Sequence, residues 1–163
     1  MGERILMKTI RYNVFETNSS STHSFTIVDE DEFEKFKNCD LLLDSDYHTF
    51  VSAEDEYKNV MDNLERYEDN MSDEYRETYK TELTFEKFKE VLSKLSDNDL
   101  SYYHRKDARK DIQTHYDAVK AALGEEIETY DTIGGEEYET FERHYTTKSG
   151  DKIVAFGYYG YGG

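Results

Sequence analysis

Apolar and polar positions alternate near the start of the chain, over residues 10–15 (I-R-Y-N-V-F). A period of two is typical of a β-strand with one apolar face. The alternation resumes at Phe25 and Ile27, after a polar stretch over 18–24. These two segments predict a β-hairpin with a long connecting loop.

The middle of the chain has helical spacing instead. Asp29, Ser52 and Thr84 each precede a stripe of apolar residues at intervals of three and four, as helix N-caps do. A last helix is predicted to begin at Ser96 and to end at Gly124. Between the first two helices, residues 41–43 (L-L-L) predict a short buried strand or an extended link.

The C-terminal part predicts a three-stranded meander, with strands over 126–133, 136–147 and 152–159. Gly134-Gly135 is a tight-turn signal between the first two strands. The Gly- and Tyr-rich segment 157–163 is interpreted as a flexible tail. Together the patterns predict one α+β domain over 1–163, whose antiparallel sheet combines the N-terminal hairpin with the C-terminal meander around a central helical region.

Composition narrows the class of protein. Tyr (15) and Phe (9) are too frequent for a disordered chain. Cys39 is the only cysteine, so the sequence excludes an internal disulfide and a cysteine-based zinc site. We see no secretion signal and no apolar run of membrane-spanning length, and we expect a cytoplasmic protein that needs no cofactor.

Charge is distributed unevenly. The chain carries −17, and residues 29–100 alone hold 23 acids and nine bases, a net −14. Residues 1–28 carry +1 and residues 101–123 carry +2. This net charge disfavours direct binding to duplex nucleic acid, because phosphates would be repelled. A concentrated block of carboxylates presents an anionic surface to a partner.

The segment 16–24 (E-T-N-S-S-S-T-H-S) is rich in hydroxyl groups. Such a loop can cradle an anion, or a serine beside His23 could act as nucleophile and base, or the segment is simply an exposed turn. As a phosphate or nucleotide site it would use Arg11, Asn18, Ser19, Ser20, Ser21, Thr22 and His23, with Arg105 and Arg109 from the last helix.

The stretch 13–24 (N-V-F-E-T-N-S-S-S-T-H-S) resembles an N-terminal signature of small hypothetical proteins from bacteriophages and Gram-positive bacteria. The resemblance covers about a dozen of the 163 residues. It implies a phage or mobile-element context and carries no mechanism with it.

The last predicted helix carries two histidines and two aspartates on one stripe. The ends of this stripe are about 16 Å apart by helical rise, so the four side chains cannot share one ion and we predict no bound metal. Basic residues on the same helix are interpreted as partners of the acidic block. The stripe consists of His104, Asp107, Asp111 and His115, and the basic residues are Arg105, Lys106, Arg109 and Lys110.

Carboxylates spread along helices can imitate the charge row of a nucleic acid, with aromatic residues adding contact area. A solvated helix face gives the same pattern. For a partner surface, the charge row would consist of Glu54, Asp55, Glu56, Glu65, Glu68, Asp69, Asp73 and Glu74, with Tyr57, Tyr67 and Tyr75 as anchors.

Three functions remain open from the sequence. The first is a non-enzymatic, phage-type inhibitor that binds a basic, nucleic-acid-handling host defence protein, without contact to nucleic acid or membrane. The second is a protein that binds or hydrolyses a phosphate-bearing ligand through the 18–23 loop. The third is a structural or assembly protein of a virion. The sequence leaves the oligomeric state open.

Overall fold

The computed structural model describes residues 10–11, 21–66, 82–96, 119–120, 122–135 and 138–161. Helices and strands together give an α+β protein. Three helices, α1 Glu30–Lys37, α2 Ala53–Arg66 and α3 Phe85–Leu92, separate the strands β1 Ile10–Arg11, β2 Ser21–Asp29, β3 Leu41–Asp44, β4 Thr49–Ser52, β5 Ile127–Glu128, β6 Glu139–Thr146 and β7 Lys152–Tyr161.

Each of the three described helices begins at its predicted cap. The Asp29 carboxylate accepts a hydrogen bond from the Glu32 amide at 2.8 Å. Ser52 Oγ accepts from the Asp55 amide at 3.1 Å, and Thr84 Oγ1 accepts from the Lys87 amide at 3.3 Å. These bonds satisfy N–H groups that have no partner inside the helix, which fixes where each helix begins.

A four-stranded antiparallel sheet has the order β1-β2-β7-β6. It joins the N-terminal hairpin to the C-terminal strands, as predicted, through the pairing of Ser21–Asp29 with Ile153–Tyr161. The prediction of a flexible tail over 157–163 is wrong for residues 157–161. These residues belong to β7 and pair with β2. Residues 21–24, expected in the hairpin loop, also belong to strand β2.

A second antiparallel sheet has the order β4-β3-β5. The leucine run 41–43 is its central strand, β3. The predicted strand over 126–133 is wrong: only Ile127 and Glu128 are extended, and they pair with β3 instead of β6. Gly134 and Gly135 do adopt the left-handed backbone of a turn, with φ of 76° and 59°, but that turn does not close a hairpin between β5 and β6.

The chain divides into two compact units. Unit 1 comprises residues 1–34 and 133–163, and unit 2 comprises residues 35–132. In unit 1, Phe33 packs against Phe156 with ring centroids 5.2 Å apart, and Val28 pairs with the equally buried Val154. The prediction that all 163 residues form one domain stays a prediction.

Unit 2 has its own apolar core between the second sheet and α2 and α3. Phe88 on α3 and Val60 on α2 are fully buried, and Leu42 of β3 joins them in the same cluster. Val119, Lys120 and Ala122 are helical, and Gly124 follows them without a left-handed φ. In the part of the chain that the structure describes, no helix is long and apolar enough to cross a bilayer.

Candidate functional site: an acidic cleft on unit 2

The first turn of α2 carries three residues of the predicted charge row, Glu54, Asp55 and Glu56. Glu54 and Asp55 are exposed, and Lys58 lies 3.7 Å and 3.3 Å from their carboxylates. A hydrogen bond from Ser52 and another from Lys58 lower the pKa of Asp55. Because exposed ion pairs are weak, Lys58 only partly offsets this negative surface.

Tyr57 does not serve as an exposed anchor, and that prediction is corrected. Its hydroxyl donates to the Leu83 carbonyl oxygen at 2.6 Å. Its ring lies 5.7 Å from Phe85 and 5.6 Å from Phe88, against the core of unit 2. Tyr57 sits on the apolar stripe of α2, so helix packing decides its orientation.

The other predicted contact residues are placed only in part. Glu65 belongs to the last turn of α2. Residues Tyr67, Glu68, Asp69, Asp73, Glu74 and Tyr75 lie outside the described residues.

A cleft of about 780 Å³ opens beside α2. Among the described residues, its polar lining contains five carboxylates and one lysine. The carboxylates are Asp44, Glu56, Asp62, Glu125 and Glu126, the cation is Lys120, and Asn59 and Asn63 add two amides.

Helical spacing and two tertiary contacts build this cleft. Glu56, Asn59 and Asn63 follow one another at intervals of three and four, so they share a face of α2. Asn63 Nδ2 donates to the Ala122 carbonyl at 3.1 Å, which fixes the segment after the last helical residues beside α2. The Ser45 amide and hydroxyl both donate to the Glu126 carbonyl, at 2.8 Å and 3.0 Å, which holds Asp44 near the same segment.

The ionised form of Glu56 is disfavoured in the cleft. Burial raises the pKa of Glu56, and the neighbouring Glu126 and Asp44 carboxylates raise it further. A hydrogen bond from Asn59 Nδ2 at 3.0 Å opposes this rise. An ammonium or guanidinium group placed here would remove the repulsion, because an opposite charge within a few ångströms favours the ionised carboxylate.

Sequence reasoning placed Glu56 in the contact surface and missed the rest of the cleft. The spacing of Glu56, Asn59 and Asp62 along α2 was the available signal. Asp44 and residues 124–127 come from other parts of the chain, and only tertiary contacts bring them to α2. Tyr47 was also missed: it is 79% exposed, and its amide donates to Asp44 Oδ1 at 3.0 Å, so an aromatic ring lies on the turn that follows a cleft carboxylate.

The residues of the alternative phosphate site are described only in part, and that site stays a prediction. Ser21, Thr22 and His23 are strand residues opposite Tyr161, Gly160 and Tyr159. Arg11 lies in the neighbouring strand, opposite Thr26. The remaining residues, Asn18, Ser19, Ser20, Arg105 and Arg109, lie outside the described residues, as do His104, Asp107, Asp111 and His115.

Within the described ranges, no group of three or more His, Cys, Asp or Glu side chains has a geometry that could hold a metal ion.

No protein family, no curated protein and no solved structure matches the chain.

Proposed function

We propose that this chain is a non-enzymatic acidic protein that binds and blocks a basic surface of a nucleic-acid-handling host protein. The observation that carries the proposal is the cleft on unit 2, whose described lining holds five carboxylates and one lysine. The resemblance of residues 13–24 to a phage-associated signature supports a phage context, and with it a defence protein as the target.

The size and charge of the cleft define what it would accept. Its volume of about 780 Å³ lies within the range of ligand pockets, so it has room for several side chains of a partner. Lysine and arginine would relieve the repulsion around Glu56, whereas an anionic or apolar group would leave it. Carboxylates at the cleft and on the exposed first turn of α2 would also steer a basic partner during approach.

The predicted contact surface changes in one respect. Tyr57 is replaced as an aromatic anchor by the exposed Tyr47, because Tyr57 is held against the core. An exposed ring on the turn that follows Asp44 suits an arginine, which can pair with acids and stack on an aromatic face.

Affinity capture from a host lysate tests the proposal when it compares two triple variants of equal charge. Glu56→Gln, Asp62→Asn and Glu126→Gln remove three charges from the cleft. Glu82→Gln, Glu86→Gln and Asp131→Asn remove three exposed charges that do not line it.

We expect the native chain and the control to retain a basic nucleic-acid-binding protein at low salt, and the cleft variant to lose it. High salt should release the partner, because exposed charges are screened beyond a Debye length of about 8 Å at physiological ionic strength. Duplex DNA should compete with the chain for the captured protein. Equal capture by both triple variants, or no competition by DNA, would overturn the proposal.

A further inference from the structure

Among the described residues, strand β6 forms one edge of the four-stranded sheet in unit 1. It pairs with β7 in one uninterrupted register, from Glu139 opposite Tyr159 to Thr146 opposite Lys152. Most of its residues are exposed, and Tyr145 is 55% exposed. A regular edge strand of eight residues is a template for the addition of another strand.

The turn after β6 shows which backbone groups point to that edge. The Gly150 amide donates to the Thr147 carbonyl at 3.0 Å, the Thr147 amide donates to the Asp151 carbonyl at 2.8 Å, and Gly150 has a φ of 91°. This is a type I turn with a glycine bulge. Residues 147 and 151 are therefore a hydrogen-bonded pair, and such pairs alternate along an antiparallel ladder.

It follows that residues 141, 143 and 145 bond to β7. The N–H and C=O groups of Thr140, Glu142, His144 and Thr146 point away from β7 instead. Any strand that extends the sheet at β6 must bond to these four residues.

We propose that the partner of this edge is a second copy of the same chain, paired antiparallel with β6 about a two-fold axis through Arg143. This register is the one that places all four outward residues in hydrogen-bonded pairs with each other. Glu142 lies opposite His144 of the second copy, and Thr140 lies opposite Thr146 of the second copy, each pair occurring twice. An axis through Glu142 would instead place that carboxylate opposite itself.

Side chains on the two faces complement each other in the same register. On one face Glu142 and His144 are already paired within each chain, with Oε1 and Nε2 2.5 Å apart, and His144 also lies 3.9 Å from Glu30, so this register would add the second copy's imidazole beside each existing pair. On the other face Phe141 lies opposite Tyr145 of the second copy. Phe141 already stacks on Phe25 at 6.1 Å and lies 6.3 Å from Tyr159, so the second Tyr145 would extend an existing aromatic row. Cross-strand pairs of these kinds stabilise sheets.

Two features oppose the dimer. Arg143 lies opposite its own copy, and like charges directly across a ladder are unfavourable. Each chain also carries −17, so the copies repel at long range. Salt screens this repulsion. The dimer should therefore become stronger as salt rises, which is the reverse of the salt response expected for the basic partner.

Cysteine cross-linking tests the register. At the axis, Arg143→Cys would place two thiols in a non-hydrogen-bonded pair, with Cα atoms about 4.5 Å apart, within the range of a disulfide. The background is clean because Cys39 is the only cysteine and is 4% exposed. Tyr145→Cys is the matched control, since each copy of residue 145 would lie four residues, about 13 Å, from its counterpart.

We expect mild oxidation to convert Arg143→Cys into a covalent dimer of twice the 19.3 kDa chain mass. Tyr145→Cys should form no covalent dimer. In sedimentation velocity, Arg143→Thr should tighten the native dimer by about two- to five-fold, by removing the like-charge pair. Glu142→Lys should weaken it, and the double variant Glu142→Lys/His144→Glu should restore it by exchanging the two charges.

A native chain that sediments as a monomer at every concentration and salt would overturn the inference. Equal cross-linking at residues 143 and 145 would overturn it as well, because the register would then be different. Failure of the charge exchange to restore association, with circular dichroism showing both variants folded, would have the same consequence. None of these outcomes bears on the acidic cleft, which belongs to unit 2.

Discussion

Units 1 and 2 present different chemistry to solvent. The sheet of unit 1 pairs strands from the two ends of the chain and exposes aromatic rings at Tyr145 and Tyr159. Unit 2 has an apolar core, an acidic first turn on α2 and a cleft whose described lining holds five carboxylates. The total net charge of −17 hides this difference. Unit 1 presents the strand β6 at a sheet edge, and unit 2 presents an acidic cleft.

The strongest test of the division into units compares two buried phenylalanines. Phe156→Ala in unit 1 and Phe88→Ala in unit 2 each remove a ring that is at most 1% exposed. Each should lower the free energy of unfolding by about 3–5 kcal/mol, through lost burial and the cavity left behind. The measurement is urea unfolding followed by circular dichroism. Tyr47→Ala, which removes a ring that is 79% exposed, should change stability by less than about 0.5 kcal/mol.

Native-state hydrogen exchange of the same variants sharpens the comparison. Phe156→Ala should accelerate exchange in β2 and β7 more than in α2 and α3, and Phe88→Ala should do the reverse. Equal acceleration of all elements by either variant would mean that the two cores open as one cooperative unit.

The next effect concerns close backbone approach in unit 1. A Cβ atom at Gly157 would lie 1.9 Å from the Ser24 carbonyl oxygen and 3.2 Å from a Phe141 ring carbon. Gly157→Ala should therefore destabilise the sheet by about 1–3 kcal/mol, the usual cost of overpacking. Thermal unfolding is the readout. The control is Gly135→Asn, because a Cβ atom there would have no neighbour within 4 Å and asparagine tolerates the left-handed φ. If Gly157→Ala is as neutral as this control, β2 and β7 do not approach each other as closely as described.

A smaller effect separates structure from recognition in unit 2. Tyr57→Phe removes the hydroxyl that donates to the Leu83 carbonyl at 2.6 Å and keeps the ring. We expect a loss of about 1 kcal/mol in the free energy of unfolding, and unchanged partner capture. Weaker capture by this variant at full stability would return Tyr57 to the contact surface.

The smallest effect has a defined pH dependence. Burial, with the Glu126 and Asp44 carboxylates, raises the pKa of Glu56 above its ordinary 4.5 in the folded protein. The ionised form of Glu56 is therefore less favourable in the folded protein than in the unfolded chain. It lowers the free energy of unfolding at neutral pH. This loss fades as the pH falls through the folded-state pKa, and it is absent below 4.5.

Glu56→Gln should therefore raise the free energy of unfolding at pH 7 by less than about 0.5 kcal/mol, because solvent screens a half-buried carboxylate, and make little difference near pH 4. Paired denaturant titrations at the two pH values measure this. Glu54→Gln is the matched control, one exposed carboxylate on the same turn. A gain that is equal at both pH values would show that the effect is not electrostatic.

Sequence patterns predicted the structure correctly where that structure depends on contacts within one short segment. The caps at Asp29, Ser52 and Thr84 were predicted correctly because each bond joins a side chain to an amide three residues away. The strand over 126–133 was predicted wrongly for an equally local reason. The Thr129 amide donates to Thr132 Oγ1 at 2.8 Å, and the Thr132 amide donates to the Thr129 carbonyl at 3.1 Å. These bonds close a turn that competes with a strand.

The sequence by itself determined the α+β class, the starts of three helices, the pairing of the terminal strands in one sheet, and the concentration of acid in the middle of the chain. Periodicity, capping and charge are properties of neighbouring residues, so they can be read without a structure. The tertiary structure alone decided that Gly160 and Tyr161 pair with β2, that β5 joins the second sheet, and that Asp44, Glu56 and Glu126 meet in one cleft. Each of these depends on contacts between residues far apart in the chain, and no local pattern specifies such contacts.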